Sequence, residues 1–558
     1  MTDSLPPGSV MLLGALLLPL LRGRLQAAAV VLLPVLSLAH LLSLPKDHAV
    51  HLQLFDWTLT VVRVDKLALV FGIIFHVAAI LAAIYALHLR DTVQAVASMI
   101  YAGSAVAGAF AGDLITLFVC WELTALSSVF LIWASRTPAA MKAGVRYLVV
   151  QVGSGVLLLG GLLLQVSKTG SIAFSTMSLD GPGTLLIFLA FGIKCAFPLL
   201  HNWLQDSYPE ATVTGTVFLS AFTTKLAVYA LARGFPGTTQ LVWIGALMTA
   251  FPIFYAVIEN DLRRVLAYST NNQLGFMVVG IGIGTEMSLN GTAAHAVADI
   301  LFKSVLFMSM GAVLYRTGTA KGSELGGLWK SMPMTALFCM VGAASISAFP
   351  FFSGFVTKSL ILQATADKHL VLTWLILVFA SAGVFHHSGI KIPYFAFFGH
   401  DSGKRCREAP ANMLVAMGIT SALCIAIGVQ PELLYNLLPY KVDYQPYTTT
   451  HVITQYQLLL FSALAFTLLV RTGLYPPELR STNLDTDWVY RRLGPAFWRL
   501  GARPALEWFG RAQQAVASAI PGIFFGDFRR APRSLSGEMA VAVAIGMLFI
   551  YLAFNLLR

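Results

Sequence analysis

Apolar runs of about the 20 residues needed to cross a bilayer recur along this chain from its first residues to its last. No arrangement of soluble layers can bury that much unbroken apolar sequence, so the chain reads as an all-α polytopic membrane protein with about 15–16 transmembrane helices. Composition agrees: 11% of its 558 residues are charged, against about 25% in a soluble domain. Its five cysteines form no metal-ligand spacing, and no nucleotide, flavin or other cofactor motif is evident.

The spans read as 8–24, 26–44, 66–87, 93–111, 113–135, 144–166, 183–203, 212–232, 240–258, 265–283, 291–315, a broken 334–365, 371–398, 410–430, 452–470 and 537–557. Arg22 and Arg24 follow the first apolar run and no basic residue precedes it, the reverse of a secretory signal, so the run is expected to stay as an anchor. Loops after odd-numbered spans hold fourteen Lys and Arg, among them Arg90, Arg136, Arg263 and Arg405, and those after even-numbered spans hold seven. Ten more arginines lie between Arg471 and Arg533. Basic residues mark the cytoplasmic side, which predicts both termini on the other side and explains the net charge of +11 without nucleic acid. Segment 471–536 mixes arginines with Trp488, Trp498, Trp508, Phe524 and Phe525, as an amphipathic helix in the headgroup plane does.

Once the loop, tail and terminal residues are set aside, five lysines remain inside spans: Lys194, Lys225, Lys303, Lys358 and Lys391. An ionisable group at a helix centre costs roughly 2.5–3.5 kcal/mol, so several in one chain need partners or water and point to an ion or proton path. Lysine suits proton exchange because burial disfavours its charged form, whereas arginine stays charged. Glu122 lies too deep in its span to reach water easily, and is expected to pair with a lysine. A static ion pair between two helices is the competing structural reading of Glu122.

Pro198 follows Lys194 by four residues and removes a helical hydrogen bond, predicting a break where the freed carbonyl and His201 line a polar gap. A second proline-interrupted span holds Pro350 and Lys358; discontinuous helices in two halves mark a transport pathway. His295, Asp299 and Lys303 follow at i, i+4 and i+8, one turn apart on one helix face. Lys225 is placed to bridge the halves, and His386/His387 to continue the polar line. Lys391, near a span end, is expected to snorkel to the interface.

The stretch from His201 to Leu231, HNWLQDSYPEATVTGTVFLSAFTTKLAVYAL, resembles the signature segment of the antiporter-like subunits of respiratory complex I and Mrp-type cation/proton antiporters, and its wording is closer to the Mrp D-type subunits than to those of complex I. The resemblance continues through LFVCWELTALSSVFLIW, AHAVADILFKSVLFMSMGAVLY and ISAFPFFSGFVTKSLIL. It implies two inverted five-helix repeats, each with a discontinuous helix. Glu122 and Lys194 would be the modulating pair, Lys225 the connecting lysine, and Lys303 and Lys358 the distal relay. The family commonly has histidine where this chain has Asp299, and an Asp beside Lys303 would favour that lysine's charged form.

The expected organisation is therefore N-terminal helices over 1–92, repeats over 93–232 and 240–398, further helices over 410–470, the lateral segment over 471–536 and a last helix over 537–558. The implied function is proton translocation in a bacterial inner-membrane complex with other membrane subunits, protons and Na+ being the transported ions. The alternatives are a subunit of a complex I-like or membrane-hydrogenase assembly, and a membrane partner in inorganic-carbon uptake.

Overall fold

The computed structural model describes residues 5–511, apart from 46, 477, 480–482, 484, 505–506 and 509–510. The span expected at 537–557, Phe524 and Phe525 lie outside the described residues. The chain divides into two units, Met1–Thr482 and Asn483–Arg558.

In the first unit, α1 (Ser9–Leu17), α2 (Arg24–Ser43), α3 (Lys66–Tyr85), α4 (Thr92–Phe110), α5 (Leu114–Trp133) and α6 (Pro138–Thr169) precede the first break. That break separates α7 (Pro182–Lys194) from α8 (Asn202–Ser207). A kinked pair follows, α9 (Val213–Ala221) and α10 (Thr223–Gly234), then α11 (Thr239–Ile258), α12 (Leu262–Ile283) and α13 (Glu286–Thr317). The second break separates α14 (Pro333–Ile346) from α15 (Ser353–Asp367). After it, α16 (Val371–Val384) runs through a π-turn, Phe385–Ile390, into α17 (Lys391–Pro393) and a second π-turn. Last come α18 (Ala411–Val429), α19 (Glu432–Tyr435) and α20 (Thr449–Arg471).

Eleven helices among the described residues are long and apolar enough to cross a membrane. Helices also occupy the positions read for the other spans before residue 470: the short α1, the two broken helices, and α12, whose polar run lowers its hydropathy. One departure from an all-helical chain is a hairpin, β1 (Ala49–Leu54) and β2 (Trp57–Arg63), antiparallel with Leu54 opposite Trp57. Its connection turns at Phe55, with φ of 51°, and Asp113 accepts a hydrogen bond from the Thr60 amide at 2.8 Å, docking the hairpin on the start of α5.

The two breaks share one geometry. Ala196 and Leu199 flank the first with φ of 61° and 70°, and Ala348 and Phe351 flank the second with 56° and 73°. Each left-handed residue with a side chain costs roughly 1–2 kcal/mol, and such strain persists only where the surroundings hold it. The wide hydrogen bonds match too, Phe197 N–H to the Gly192 carbonyl at 2.9 Å and Phe349 N–H to the Ala344 carbonyl at 3.0 Å. Both breaks fall on the tripeptide Ala-Phe-Pro, at 196–198 and 348–350, so Pro198 and Pro350 hold equivalent places. The broken helices lie five spans apart, and an odd number of crossings inverts the second relative to the first.

At 32 residues, or about 48 Å, α13 is the central post of the fold, and α3, α9, α12, α14, α15 and α18 pack round it. All the expected relay residues of the second half before Lys358 are carried on it.

The second unit is described only in part. Its π- and α-helical turns from Val489 to Ala502 leave Trp488, Phe497 and Trp498 half or more exposed, the aromatic and arginine mixture read from the sequence.

Candidate functional site

Lys194 is the last residue of α7, and the break turns its fully buried ammonium toward α5. Its Nζ donates to the Trp121 carbonyl at 2.5 Å and to Thr124 Oγ1 at 3.1 Å, and lies 4.4 Å from the centre of the Trp121 ring. A desolvated cation over an indole gains about 2 kcal/mol. Trp121 is itself fixed: its Nε1–H donates to Ser154 on α6, whose hydroxyl donates to the Ala190 carbonyl on α7.

Glu122 is half-buried, and it is not hydrogen-bonded to Lys194 among the described residues. Its carboxylate instead sits over Gly155 of α6, so close that a Cβ there would fall 1.4 Å from Oε1. Glycine at 155 is what makes room for the carboxylate between two helices. His201, 1% exposed, packs its ring edge-on to Phe251 at 4.6 Å.

The kink between α9 and α10 has an identifiable cause. Tyr101 from α4 accepts the Thr223 N–H at 3.0 Å, and Tyr208 donates its hydroxyl to the Leu219 carbonyl at 2.7 Å. Two tyrosines thus take over the donor and acceptor of one helical hydrogen bond, and inserted groups of this kind bend helices. The opened ladder leaves the Ser220 carbonyl to the Lys225 ammonium at 3.0 Å.

The same ammonium lies 2.6 Å from Asp299 Oδ2, with both side chains fully buried. Asp299 therefore pairs with Lys225 across the two halves, rather than with Lys303 on its own helix as the sequence suggested. The reason is geometric: each four-residue step along a helix rotates by about 40° beyond a full turn. His295, Asp299 and Lys303 consequently do not share a partner. His295 faces Thr357 of α15 and Gln273 of α12, each at 3.1 Å, and Lys303 donates to the Leu266 carbonyl of α12 at 3.3 Å.

Lys358 reaches back across the second break to donate to the Ile346 carbonyl at 2.7 Å, 5.1 Å from the Phe276 ring centre. Pro350 has no N–H to bond that carbonyl. Ile346 occupies the place that Lys194 holds in the first break. Each break therefore has a lysine beside it, Lys194 on the arm before the first, with its ammonium turned to α5, and Lys358 on the arm after the second, with its ammonium on the freed Ile346 carbonyl.

Three further residues differ from their sequence-based placing. Lys391 does not snorkel: it is fully buried, donates to the Ala256, Val257 and Glu259 carbonyls at 3.2, 2.7 and 2.6 Å, and pairs with Glu478 at 2.9 Å. These carbonyls end α11, where a cation is favoured by the helix dipole. Of the histidine pair, His386 stacks on Tyr475 at 5.6 Å, while His387 is the buried one, bonded to Ser388 at 2.9 Å and through it to Ser269. Arg263, counted among the orienting loop residues, is 2% exposed and donates to the Pro209 and Ala211 carbonyls at 2.8 and 2.9 Å.

Asp206, in the motif after the first break, holds Arg146 through two hydrogen bonds of 2.6 and 2.9 Å. Planar two-point pairing of this kind fixes orientation as well as charge.

Residues 111–384 match the family described as NADH:quinone oxidoreductase/Mrp antiporter, transmembrane. Hydrogenase-4 component B of Escherichia coli is 27% identical over 67% of this chain, which spans 63% of that protein's length. The D subunit of the Na(+)/H(+) antiporter of Alkalihalophilus pseudofirmus is 29% identical over 59% of this chain and 71% of its own. The structure of the Mrp complex from Dietzia sp. contains a chain with the same fold, with a TM-score of 0.77 at 24% identity, covering 97% of this chain and 66% of that one. The matched stretch contains Lys194, Lys225, Lys303 and Lys358 but not Lys391, and over that stretch, just under half of its length, the chain is similar to the NADH:quinone oxidoreductase/Mrp antiporter transmembrane family.

Proposed function

We propose that this chain is the proton-translocating subunit of a multisubunit cation/proton antiporter-type complex in a bacterial inner membrane, with its odd-loop basic residues on the cytoplasmic side. In this reading the chain is a transporter subunit and not itself an enzyme. Its partners are other membrane subunits, and the cation, Na+ on the likeness to the Na(+)/H(+) antiporter, moves outside this chain's own lysine line.

The observation that carries the reading is the buried Lys225–Asp299 pair, which joins α10 to the central post. In this reading Glu122 and Lys194 lead to it from the first half, and His295, Lys303 and Lys358 lead away from it in the second. A proton arriving at either end changes the charge that the pair must balance, and with both side chains out of water that change is felt across it. In this reading Lys194, held on the Trp121 carbonyl of α5, and Lys358, held on the Ile346 carbonyl at the second break, serve as the exchange points of the two halves. In this reading His387, bonded to Ser388, continues the line at the far end.

A redox-driven assembly is the second reading, favoured by the likeness to a hydrogenase component. Purification of the full chain with its copurifying subunits, followed by reconstitution into vesicles, separates the two. A pH change driven by an imposed Na+ or K+ gradient supports the antiporter reading. No cation-driven pH change, together with copurifying Fe–S subunits, overturns it in favour of the second.

A further inference from the structure

His295 is held by a chain of side chains whose donors and acceptors can be counted without ambiguity. Gly245 and Gly275 bring α11 and α12 into close backbone contact, since a Cβ on Gly275 would fall 2.6 Å from the Gly245 carbonyl oxygen. That approach lets the side-chain amide of Asn272 reach the Thr249 carbonyl. A backbone carbonyl only accepts, so the Asn272 nitrogen must point at it and the Asn272 oxygen must point the other way. That oxygen meets Gln273 at 2.6 Å, which obliges Gln273 to present its nitrogen there and its Oε1 to His295. His295 Nε2, 3.1 Å from Oε1, therefore carries a hydrogen.

In the neutral ring Nδ1 is then the lone-pair nitrogen, and it faces Thr357 Oγ1 at 3.1 Å. The Thr357 hydroxyl has one hydrogen and two places for it: His295 Nδ1, or the Ser353 carbonyl, also at 3.1 Å. It donates to Nδ1 when the ring is neutral. When the ring is protonated, Nδ1–H donates to Oγ1 and the hydroxyl hydrogen turns to Ser353. Both states are satisfied with no heavy atom displaced.

We infer that the Thr249–Asn272–Gln273 chain fixes the tautomer of His295, and that Thr357 is the positioning residue through which Nδ1 gains and loses its proton on the Lys358 side. The charged and titratable groups around the ring are Asp299 and Lys303 on α13, Lys358 on α15 and Lys225 on α10. From α12 the ring faces the neutral Gln273 and Phe276. The inference deepens the proton-path reading and rests on it for its transport consequence, while the tautomer stands by itself.

The test is nitrogen-15 solid-state NMR of the full chain labelled at histidine, with His295 assigned from its loss in His295→Gln. Below its protonation step both ring nitrogens should carry hydrogen, and above it Nδ1 should show the lone-pair shift and Nε2 the N–H shift. A neutral ring with hydrogen on Nδ1 overturns the inference. In reconstituted vesicles Thr357→Val should slow proton uptake by about tenfold or more, the worth of one hydrogen bond, and Thr357→Ser should restore it. Uptake in Thr357→Val equal to wild type overturns the role of Thr357. A wild-type chain that moves no protons contradicts the functional reading instead, and the spectrum still decides the tautomer.

Discussion

The Lys225 ammonium and the Asp299 carboxylate, 2.6 Å apart and both sealed from solvent, tie α10 to the central post. Removing one member of a buried pair costs about 3–5 kcal/mol because the other is left uncompensated, whereas replacing both with apolar groups is often tolerated. Asp299→Asn is therefore expected to destabilise the purified protein by about that amount. Lys225→Met/Asp299→Leu should melt close to wild type and yet move no protons. Thermal unfolding and vesicle proton uptake measured on the same preparations check both halves of this statement.

A second prediction concerns Glu122. Gly155→Ala puts a methyl group where Oε1 now lies, whereas Gly153→Ala, on the same helix, meets nothing within 4 Å. The first substitution should displace the carboxylate and lower proton uptake by about tenfold, the worth of one interaction of roughly 1.4 kcal/mol, and the second should leave uptake unchanged. Equal uptake in the two variants would remove Glu122 from the path.

The strained breaks give a third. Glycine adopts positive φ without penalty but loses more conformational freedom on folding, so Ala348→Gly should stabilise by up to about 1 kcal/mol. Ala196→Gly should do the same, and neither should alter transport. A large loss of stability would mean that the left-handed geometry is not the one the folded chain holds.

The fold was legible in the sequence because span length and proline position are local signals. Proline at 198 and 350, each after a lysine-bearing or lysine-receiving helix end, marked both breaks. Charges inside apolar runs likewise marked Lys194, Lys225, Lys303, Lys358 and Glu122 as residues of interest. Their pairing was not legible, since it depends on rotation about α13 and on which helix faces it. Asp299 shows this: its one-turn spacing from Lys303 is real, but the 40° drift hands its carboxylate to Lys225. Lys391 shows a second limit, because its partner Glu478 comes from a polar segment with no periodicity to announce where it returns. Adjacent histidines differ by about 100° around a helix, so choosing His387 over His386 needed the packing of α20.

A fourth prediction follows from Asp65, the N-cap of α3. Burial alone would raise its carboxyl, but the hydrogen bond and charge of Arg233 outweigh it and hold the carboxyl below its ordinary value. A depressed acid stabilises the fold at pH above its unfolded value of about 3.9, and that stability is lost as pH falls through the lower folded value. In Arg233→Gln the folded value rises toward the unfolded one, so the variant should be less stable than wild type near pH 6 and should lose less of its stability as pH falls. Melting temperatures of wild type and variant from about pH 3 to 6 test this, and coincident acid limbs would contradict it.

The most direct test of the proton path is proton uptake by vesicles containing the purified complex, compared between wild type and Lys194→Ala. Lys194 holds two hydrogen bonds and an indole face at the first break, and no second lysine lies in that break to carry the charge. Uptake should fall to the level of protein-free vesicles while the variant retains its partner subunits. Wild-type uptake from an intact Lys194→Ala complex would contradict the account.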